Sequence, residues 1–304
     1  MNPNNRDHRS DALSIGNFAL ALLAQPGKGK VMGVTSRGFF LLTQSNRVLF
    51  ISTEPFLGPV HILLATLPEE VKAGLMSAEM EYSPDMINFP QISFQINLKN
   101  TKVWQPPELP KKIQTVHERY KQIKSITIEL TQSGREATFL PLLQWLITPK
   151  RQEATTDTHP SIFIQKIIDL QFAVHENAPD EAALILDSFL GYGTGLTPSG
   201  DDFVWGFLAA LNRWRAVLCP QIEVSQLNDV ILPKAQKKTS FLSATLIECA
   251  THGWADANML AALDLLFTGG ESENDVIERI LDYGNSSGVD AFAGMSVAIE
   301  TVTN

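Results

Sequence analysis

The residues best suited to chemistry lie in one stretch, residues 191–211, which reads GYGTGLTPSGDDFVWGFLAAL. Gly191, Gly193 and Gly195 stand at alternate positions and lead through a Thr-Pro-Ser-Gly-Asp-Asp segment into a long apolar run. The apolar run predicts a buried helix, whose first turn presents unpaired N–H groups and the positive end of its dipole. Glycine lets the preceding chain take positive φ angles and approach a ligand closely. This combination is typical of a site for a small anion.

The stretch does not match the common nucleotide-binding motifs. Gly195 and Gly200 have the spacing of a P-loop, but Asp201 and Asp202 stand where that motif needs Lys and Ser or Thr. The alternate glycines lack the G-x-G-x-x-G spacing, and residues 180–190 before them have helical rather than strand periodicity. Both nucleotide sites are therefore excluded.

A second stretch repeats part of the first. The pattern S-G-x-D-x-x-x-G occurs at residues 199–206 and again at residues 287–294, an offset of 88 positions. Close approach of two helices at Gly206 and Gly294 would bring Asp202 and Asp290 together at the helix starts. S-x-x-D at a helix start is also a capping box, in which the carboxylate only satisfies a backbone donor, and this alternative stays open.

Asp201 has no counterpart in the second copy of the pattern, because Val289 occupies the equivalent position. Asp201 is therefore the better candidate for a chemical role among the aspartates of this region.

A third segment, residues 237–245, reads KKTSFLSAT and places two ammonium groups and several hydroxyls at the start of another helix. Such groups complement a carboxylate or phosphate that is otherwise held by backbone N–H groups. Alternatively, Lys237 and Lys238 are exposed, and Thr239 or Ser240 is only a helix cap.

Together the three segments GTGLTPSGDDF, TSFLSA and SSGVD resemble the signature of the AllH-like proteins, over residues 185–300. That group, long described only as a domain of unknown function, includes a subunit of bacterial oxamate carbamoyltransferase. The resemblance implies the interconversion of oxalurate and phosphate with oxamate and carbamoyl phosphate, in anaerobic allantoin breakdown. It also implies partner subunits and a small anionic substrate.

On this basis the candidate catalytic residues are Asp201, Asp202 and Asp290. They could orient a nitrogen, accept its proton or hold a Mg²⁺ ion, and the sequence does not choose among these roles or identify a cofactor. The candidate substrate-binding residues are Gly193, Thr194, Gly195, Thr197, Ser199, Gly200, Lys238, Thr239, Ser240, Ser286, Ser287 and Gly288. Two other hypotheses remain open: a non-catalytic subunit that senses such a metabolite, and a motif that only builds helix contacts.

The whole chain has 304 residues, a net charge of −9 and two cysteines, Cys219 and Cys249, without metal-site or redox spacing. The charge argues against nucleic acid or an anionic membrane as a partner. No apolar run approaches the length of a membrane span, and the polar amino terminus has no signal-peptide core. We therefore expect a cytoplasmic protein with reduced, buried thiols.

The sequence predicts an α+β protein, because a strand-like residue pattern in the first part of the chain gives way to a helical pattern in the last part. Residues 1–105 predict an antiparallel β barrel or sandwich with strands at 18–24, 30–35, 38–43, 47–52, 60–66 and 92–98. Residues 106–159 predict a connector with helices at 111–124 and 135–147, a possible strand at 126–130 and a mobile loop at 151–159.

Residues 160–304 predict an all-helical domain, in which the apolar residues around the helix that follows Asp202 predict a buried, central helix. The predicted helices of this domain span residues 161–174, 180–190, 201–218, 226–232, 240–250, 256–267, 274–283 and 287–302.

Overall fold

The computed structural model describes residues 8–111, 113–148, 160–218, 221–269 and 272–301. The chain forms two compact units, residues 1–107 and residues 108–304, called here the barrel unit and the helical unit. No helix in these described ranges is long and apolar enough to cross a membrane. The predicted loop at 151–159 and the side chain of Cys219 lie outside the described residues, whereas Cys249 is a buried free thiol.

The described residues of the barrel unit, from His8 onward, form nine strands and two short helices. The strands are β1 (His8–Gly16), β2 (Gly27–Val34), β3 (Gly38–Thr43), β4 (Val48–Ser52), β5 (His61–Leu64), β6 (Glu79–Ser83), β7 (Met86–Phe89), β8 (Phe94–Asn97) and β9 (Lys102–Trp104). The helices are α1 (Asn17–Leu23) and α2 (Glu69–Gly74), and a short 3₁₀ turn spans Pro90–Ile92.

The first eight strands close into a barrel, as the sequence predicted. Their order is β5-β4-β3-β2-β6-β7-β8-β1, and pairing of β1 with β5 completes the ring. The first half of β1 pairs with β8 and the second half with β9, so β9 is an appended strand. The sequence predicted an antiparallel sheet, but the observed sheet is mixed: β1–β8, β1–β9 and β4–β5 are parallel, and the remaining pairs are antiparallel.

The predicted strand at 18–24 is wrong, because these residues belong to α1. Its sequence, NFALALL, consists mostly of alanine and leucine, which favour a helix, and a short run that is apolar throughout has no diagnostic period. Phe18, Ala19 and Leu23 are the buried side chains of this helix.

The helical unit contains the remaining helices. They are α3 (Val116–Gln132), α4 (Leu140–Leu146), α5 (Pro160–His175), α6 (Pro179–Asp187), α7 (Ser199–Arg213), α8 (Arg215–Leu218), α9 (Val224–Lys238), α10 (Phe241–Ala250), α11 (Ala257–Thr268), α12 (Glu273–Asp282) and α13 (Ser287–Glu300).

Two predictions for the start of this unit are wrong. The possible strand at 126–130 lies inside α3, because Ile123, Ile126 and Leu130 recur at helical spacing and are fully buried. The helix predicted at 111–124 begins at Val116 and not at residue 111, because a capping box formed by Thr115 and Glu118 marks its start.

The other predicted helices differ from the observed ones mainly at their ends. The helix predicted at 135–147 is limited to α4, and the helix predicted at 201–218 is divided at Trp214 into α7 and α8. The helix predicted at 226–232 continues through Pro233 to Lys238 as α9.

Two helices form the centre of the helical unit. Residues 199–211 of α7 are buried, as predicted for a central helix, and residues 288–300 of α13 are buried in the same way. The two helices pack against each other, and α3, α4, α5, α8, α10 and α12 pack against one or the other of them. This pair supports the region that carries the repeated pattern.

Candidate functional site

Two helix starts meet at the candidate site because glycine lets α7 and α13 approach closely. A Cβ atom on Gly206 would lie 2.0 Å from the carbonyl oxygen of Ala291, and one on Gly294 would lie 2.0 Å from that of Phe203. Only glycine fits at such distances. The second glycine of each repeat therefore sets the spacing of the helix pair, as the sequence suggested.

At these starts, Ser199 and Asp202 of α7 lie beside Ser287 and Asp290 of α13; we call these four residues the serine–aspartate centre. The Ser287 hydroxyl is within hydrogen-bonding range of Asp202, and the Ser199 hydroxyl is within range of Asp290. Each helix thus supplies a hydroxyl to the carboxyl group of the other.

Both carboxyl groups are buried and each retains an unpaired oxygen. Asp202 is 3 % exposed and Asp290 is 0 % exposed. The Oδ1 atom of Asp290 accepts a 2.8 Å hydrogen bond from the Phe139 amide. Neither Oδ2 atom has a hydrogen-bond partner among the residues the structure describes. Because buried polar atoms are nearly always paired, these two oxygens mark a place where a ligand would gain hydrogen bonds.

The capping-box alternative is wrong for both copies of the pattern. The residue that precedes α7 is Pro198 and the residue that precedes α13 is Ser286, and neither makes a side-chain cap hydrogen bond. Asp290 accepts its backbone hydrogen bond from Phe139, outside its own helix. Asp202 and Asp290 therefore make contacts outside their own helices and do not cap them.

The glycine loop, residues 191–198, borders the serine–aspartate centre. Gly191, Gly193 and Gly195 have φ angles of +76°, +109° and +103°, which residues other than glycine rarely adopt. Residues 191–196 are exposed, including Thr194. The loop reaches the second helix through Thr197, whose hydroxyl is 3.1 Å from that of Ser287.

Asp201 holds this loop in place. Its Oδ1 accepts a 2.7 Å hydrogen bond from the Gly191 amide, and its Oδ2 accepts a hydrogen bond from the Thr239 hydroxyl. Since both oxygens are occupied, Asp201 has the contacts of a residue that joins the loop to the start of α10. The geometry leaves Asp202 and Asp290, rather than Asp201, with oxygens free for a ligand.

The third segment lies beside the loop. The ammonium group of Lys238 is half exposed and forms an ion pair with Asp187 at 2.8 Å. Ser240 caps α10 by accepting a 3.0 Å hydrogen bond from the Ser243 amide, and it donates to the Leu196 carbonyl at 2.7 Å. These contacts match the alternative in which this segment serves as a helix cap, although they also fasten the glycine loop.

The two first-turn glycines of the pattern act in packing. A Cβ on Gly200 would lie 1.9 Å from the Phe189 carbonyl oxygen, and one on Gly288 would lie 1.9 Å from that of Ile280. Their amides donate to the carbonyl groups of Tyr192 and Tyr283, at 2.8 Å and 2.9 Å. These two amides are therefore already paired within the chain.

A neighbouring segment, residues 133–139, contributes contacts that the sequence analysis missed. The Thr138 hydroxyl donates to Ser199 Oγ at 2.9 Å, and the Phe139 amide donates to Asp290. Arg135 donates to the Asn285 carbonyl at 2.9 Å, next to the start of α13. The sequence analysis assigned residues 135–139 to a helix and therefore missed this loop. Gly134, which has a φ angle of +68°, indicated an interruption of helical structure at this point.

Burial dominates the electrostatics of the carboxyl groups. Burial raises the pKa of Asp202 well above its usual range, although a hydrogen bond from the Ser287 hydroxyl acts to lower it, and the nearby charges of Asp290 and Asp201 raise it further. Burial also raises the pKa of Asp290, although hydrogen bonds from the Phe139 amide and the Ser199 hydroxyl act to lower it. The pKa of Asp201 is raised by burial as well. A protonated carboxyl group can donate a hydrogen bond and does not repel an anion.

A metal-ion site is not evident in the part of the chain that the structure describes, where no group of three or more His, Cys, Asp or Glu side chains is arranged to hold one. The arrangement instead presents hydroxyl and carboxyl groups, which suit hydrogen bonding to a small polar ligand.

One family model matches the part of the chain that contains the glycine loop, α7, α10 and nearly all of α13. Residues 189–299 match the AllH family. The description of this family is oxamate carbamoyltransferase subunit AllH, so the AllH resemblance found in the three sequence segments is confirmed. No curated protein and no solved structure matches the chain. The AllH match covers every residue of the serine–aspartate centre, and residues 133–139 lie outside it.

Proposed function

We propose that this chain is a subunit of a carbamoyl- or carboxyl-group transferase that acts on a small anionic metabolite of the oxamate, oxalurate or carbamoyl phosphate type. The observation that carries the proposal is the pair of buried carboxyl groups of Asp202 and Asp290, each with an unpaired Oδ2, within the AllH match. The family description supports the reaction class and the presence of partner subunits.

The charge state of the site supports anion binding. Three ionised carboxylates would repel a carboxylate or phosphate, but burial raises the pKa of Asp201, Asp202 and Asp290. Protonated carboxyl groups and serine hydroxyls donate hydrogen bonds to an anion, and the positive ends of the α7 and α13 dipoles favour it. The glycine loop provides a backbone surface that a small ligand can approach closely.

The same groups suit carbamoyl transfer. In the phosphorolysis of oxalurate, a phosphate oxygen bonds to the ureido carbonyl carbon, the bond from that carbon to the oxamate nitrogen breaks, and the nitrogen takes a proton. We assign the donation of this proton to Asp202, because burial raises its pKa well above its usual range and its Oδ2 has no partner in the described chain. Asp290, held by the Phe139 amide, would orient the substrate, and hydroxyl donors would stabilise charge on the carbonyl oxygen.

The test is reconstitution of the chain with its partner subunits and measurement of oxalurate phosphorolysis. Asp202→Asn removes the proton donor while keeping the side-chain volume, so turnover should fall at least about a hundredfold. Asp229→Asn changes an exposed aspartate of α9 and is the matched control, with activity equal to that of the wild type. Retention of full turnover in folded Asp202→Asn would refute the assignment.

A second candidate function is a non-catalytic subunit that binds the metabolite and regulates or assembles the complex. It is favoured by one observation: in the described chain, the serine–aspartate centre and its hydrogen-bond partners contain no histidine, cysteine or lysine. Oxamate binding by the chain alone, together with unchanged turnover in Asp202→Asn, would select this function.

A further inference from the structure

A stacked pair of aromatic side chains lies next to the serine–aspartate centre. Trp205 of α7 packs flat on Tyr283, with ring centroids 5.3 Å apart and an interplanar angle of 15°. Trp205 is three residues after Asp202, so the two side chains share one face of the helix. The stack therefore extends the candidate site inward from the helix starts.

The indole N–H of this stack is an unused donor. Trp205 is 2 % exposed, and its Nε1 atom has no hydrogen-bond partner in the described part of the chain. A buried indole N–H normally finds a partner, because losing its hydrogen bond to water without replacement is unfavourable. Trp214, near the other end of α7, follows this rule: its Nε1 donates to Asp264 Oδ1 at 3.0 Å.

Two buried carboxyl groups lie within electrostatic range of the phenol of the stack. Burial raises the pKa of Tyr283, and electrostatic interaction with Asp256 and Asp202 raises it further. Asp256 caps α11 through Oδ1, which accepts from the amides of Asn258 and Met259 at 3.0 Å and 3.2 Å. The Oδ2 atoms of Asp256 and Asp202 are both buried, and neither has a partner among the described residues.

An unused N–H donor one helical turn from an unused carboxyl acceptor complements a primary amide. The carbonyl oxygen of an amide accepts one hydrogen bond from an indole, and its NH₂ group donates two to carboxyl oxygens. A carboxyl group keeps an acceptor oxygen even when it is protonated. A carboxylate in place of the amide has no N–H group to donate, so it would leave the buried Oδ2 atoms of Asp202 and Asp256 without a hydrogen bond, which is unfavourable.

We propose that Trp205 and Tyr283 recognise the amide end of the ligand and so select a carboxylate-amide, such as oxamate, over a dicarboxylate such as oxalate. This assignment rests on the proposed function, because it presumes that a small anion binds at the serine–aspartate centre. The Trp205 N–H donates to the amide carbonyl, and the Oδ2 atoms of Asp202 and Asp256 accept from the amide nitrogen. The glycine loop and the serine hydroxyls bind the carboxylate end.

The experiment compares the binding of oxamate and of oxalate to the full chain by isothermal titration calorimetry. Trp205→Phe keeps an aromatic ring for the stack but removes the N–H donor. Its affinity for oxamate should fall about tenfold, which corresponds to about 1.4 kcal/mol, while its affinity for oxalate stays unchanged. Trp214→Phe is the matched control, because it removes an N–H that Asp264 already uses; it should be less stable and bind oxamate like the wild type.

The outcomes separate the two proposals. If wild type binds both ligands and Trp205→Phe changes neither affinity by more than about twofold, the amide assignment is overturned and the proposed function stands. If wild type binds neither ligand, the anion site itself is refuted, and the amide assignment fails with it. If circular dichroism shows that Trp205→Phe does not fold, Asp256→Asn is scored by the same oxamate-to-oxalate ratio, because it keeps the helix cap and puts an NH₂ group in place of the proposed Oδ2 acceptor. A fall of about tenfold in the ratio supports the amide assignment, and an unchanged ratio overturns it.

Discussion

Replacing Gly206 with alanine should destabilise the helical unit by about 2 kcal/mol, because the added methyl group collides with the backbone of α13. The new Cβ would lie 2.0 Å from the Ala291 carbonyl oxygen, about 1.4 Å short of the 3.4 Å at which ordinary van der Waals contact begins. A carbonyl group inside a helix cannot rotate away, so the two helices must separate. Forced overpacking of this kind costs about 3 kcal/mol at the upper end of its usual range, and the higher helix propensity of alanine offsets about 1 kcal/mol.

The assay is urea unfolding followed by far-UV circular dichroism, with thermal unfolding as a second measurement. For a unit of this size, a loss of about 2 kcal/mol lowers Tm by about 4–8 °C. Gly294→Ala should behave in the same way, since its Cβ would lie 2.0 Å from the Phe203 carbonyl oxygen. Gly33→Ala is the control, because no atom lies within 4 Å of its added Cβ. Stabilities of Gly206→Ala and Gly294→Ala within about 0.5 kcal/mol of wild type would refute the close helix contact.

Two further predictions concern buried carboxyl groups. Asp264→Ala should destabilise the chain by about 3–5 kcal/mol, because it removes the carboxylate whose Oδ2 lies 2.5 Å from the buried Arg213 guanidinium. Urea unfolding beside the exposed-site variant Asp229→Ala checks this, and equal stability of the two variants contradicts it. Burial raises the pKa of Asp256 to about 6, so the folded state binds this proton more tightly than the unfolded chain, and the contribution of Asp256 to stability is lost as pH rises from about 4 to about 6. Asp256→Asn keeps a good helix cap but removes the titrating carboxyl group. The unfolding free energy of this variant should therefore fall less between about pH 4 and about pH 6 than the unfolding free energy of wild type. Parallel curves of unfolding free energy against pH would show that Asp256 does not titrate in this interval.

The contact between the starts of α7 and α13 could be predicted from the sequence, because each copy of the repeated pattern contains a glycine that permits close helix packing. Gly206 and Gly294 occupy equivalent positions, and a small residue on each of two apolar helices favours close contact between them. The structure places Thr197 and Ser287 3.1 Å apart, which brings the two copies of the pattern together. The choice between a capping box and a contact between helices required coordinates, since both use the same residue types.

Other features depend on tertiary structure that local patterns do not report. Nothing in the types of Thr138 and Phe139 indicates that their segment crosses the start of α7, because that contact joins residues 61 positions apart in sequence. Likewise, the unpaired Nε1 of Trp205 becomes informative only when its surroundings are known. The strand β1 was missed because its first residues are polar and exposed on one side, with a burial pattern that alternates only in part.

The position of β1 in the barrel also determines when that unit can finish folding during synthesis. This strand comes first in the chain, yet its partners are β5, β8 and β9, the last of which ends at Trp104. At about 5–20 residues per second, the ribosome needs about 5–20 s to make the intervening chain. Until β8 is made, residues 8–11 of β1 have no strand to pair with, because their partners begin at Phe94. A nascent chain stalled before residue 94 should therefore be a preferred client of chaperones that bind extended segments.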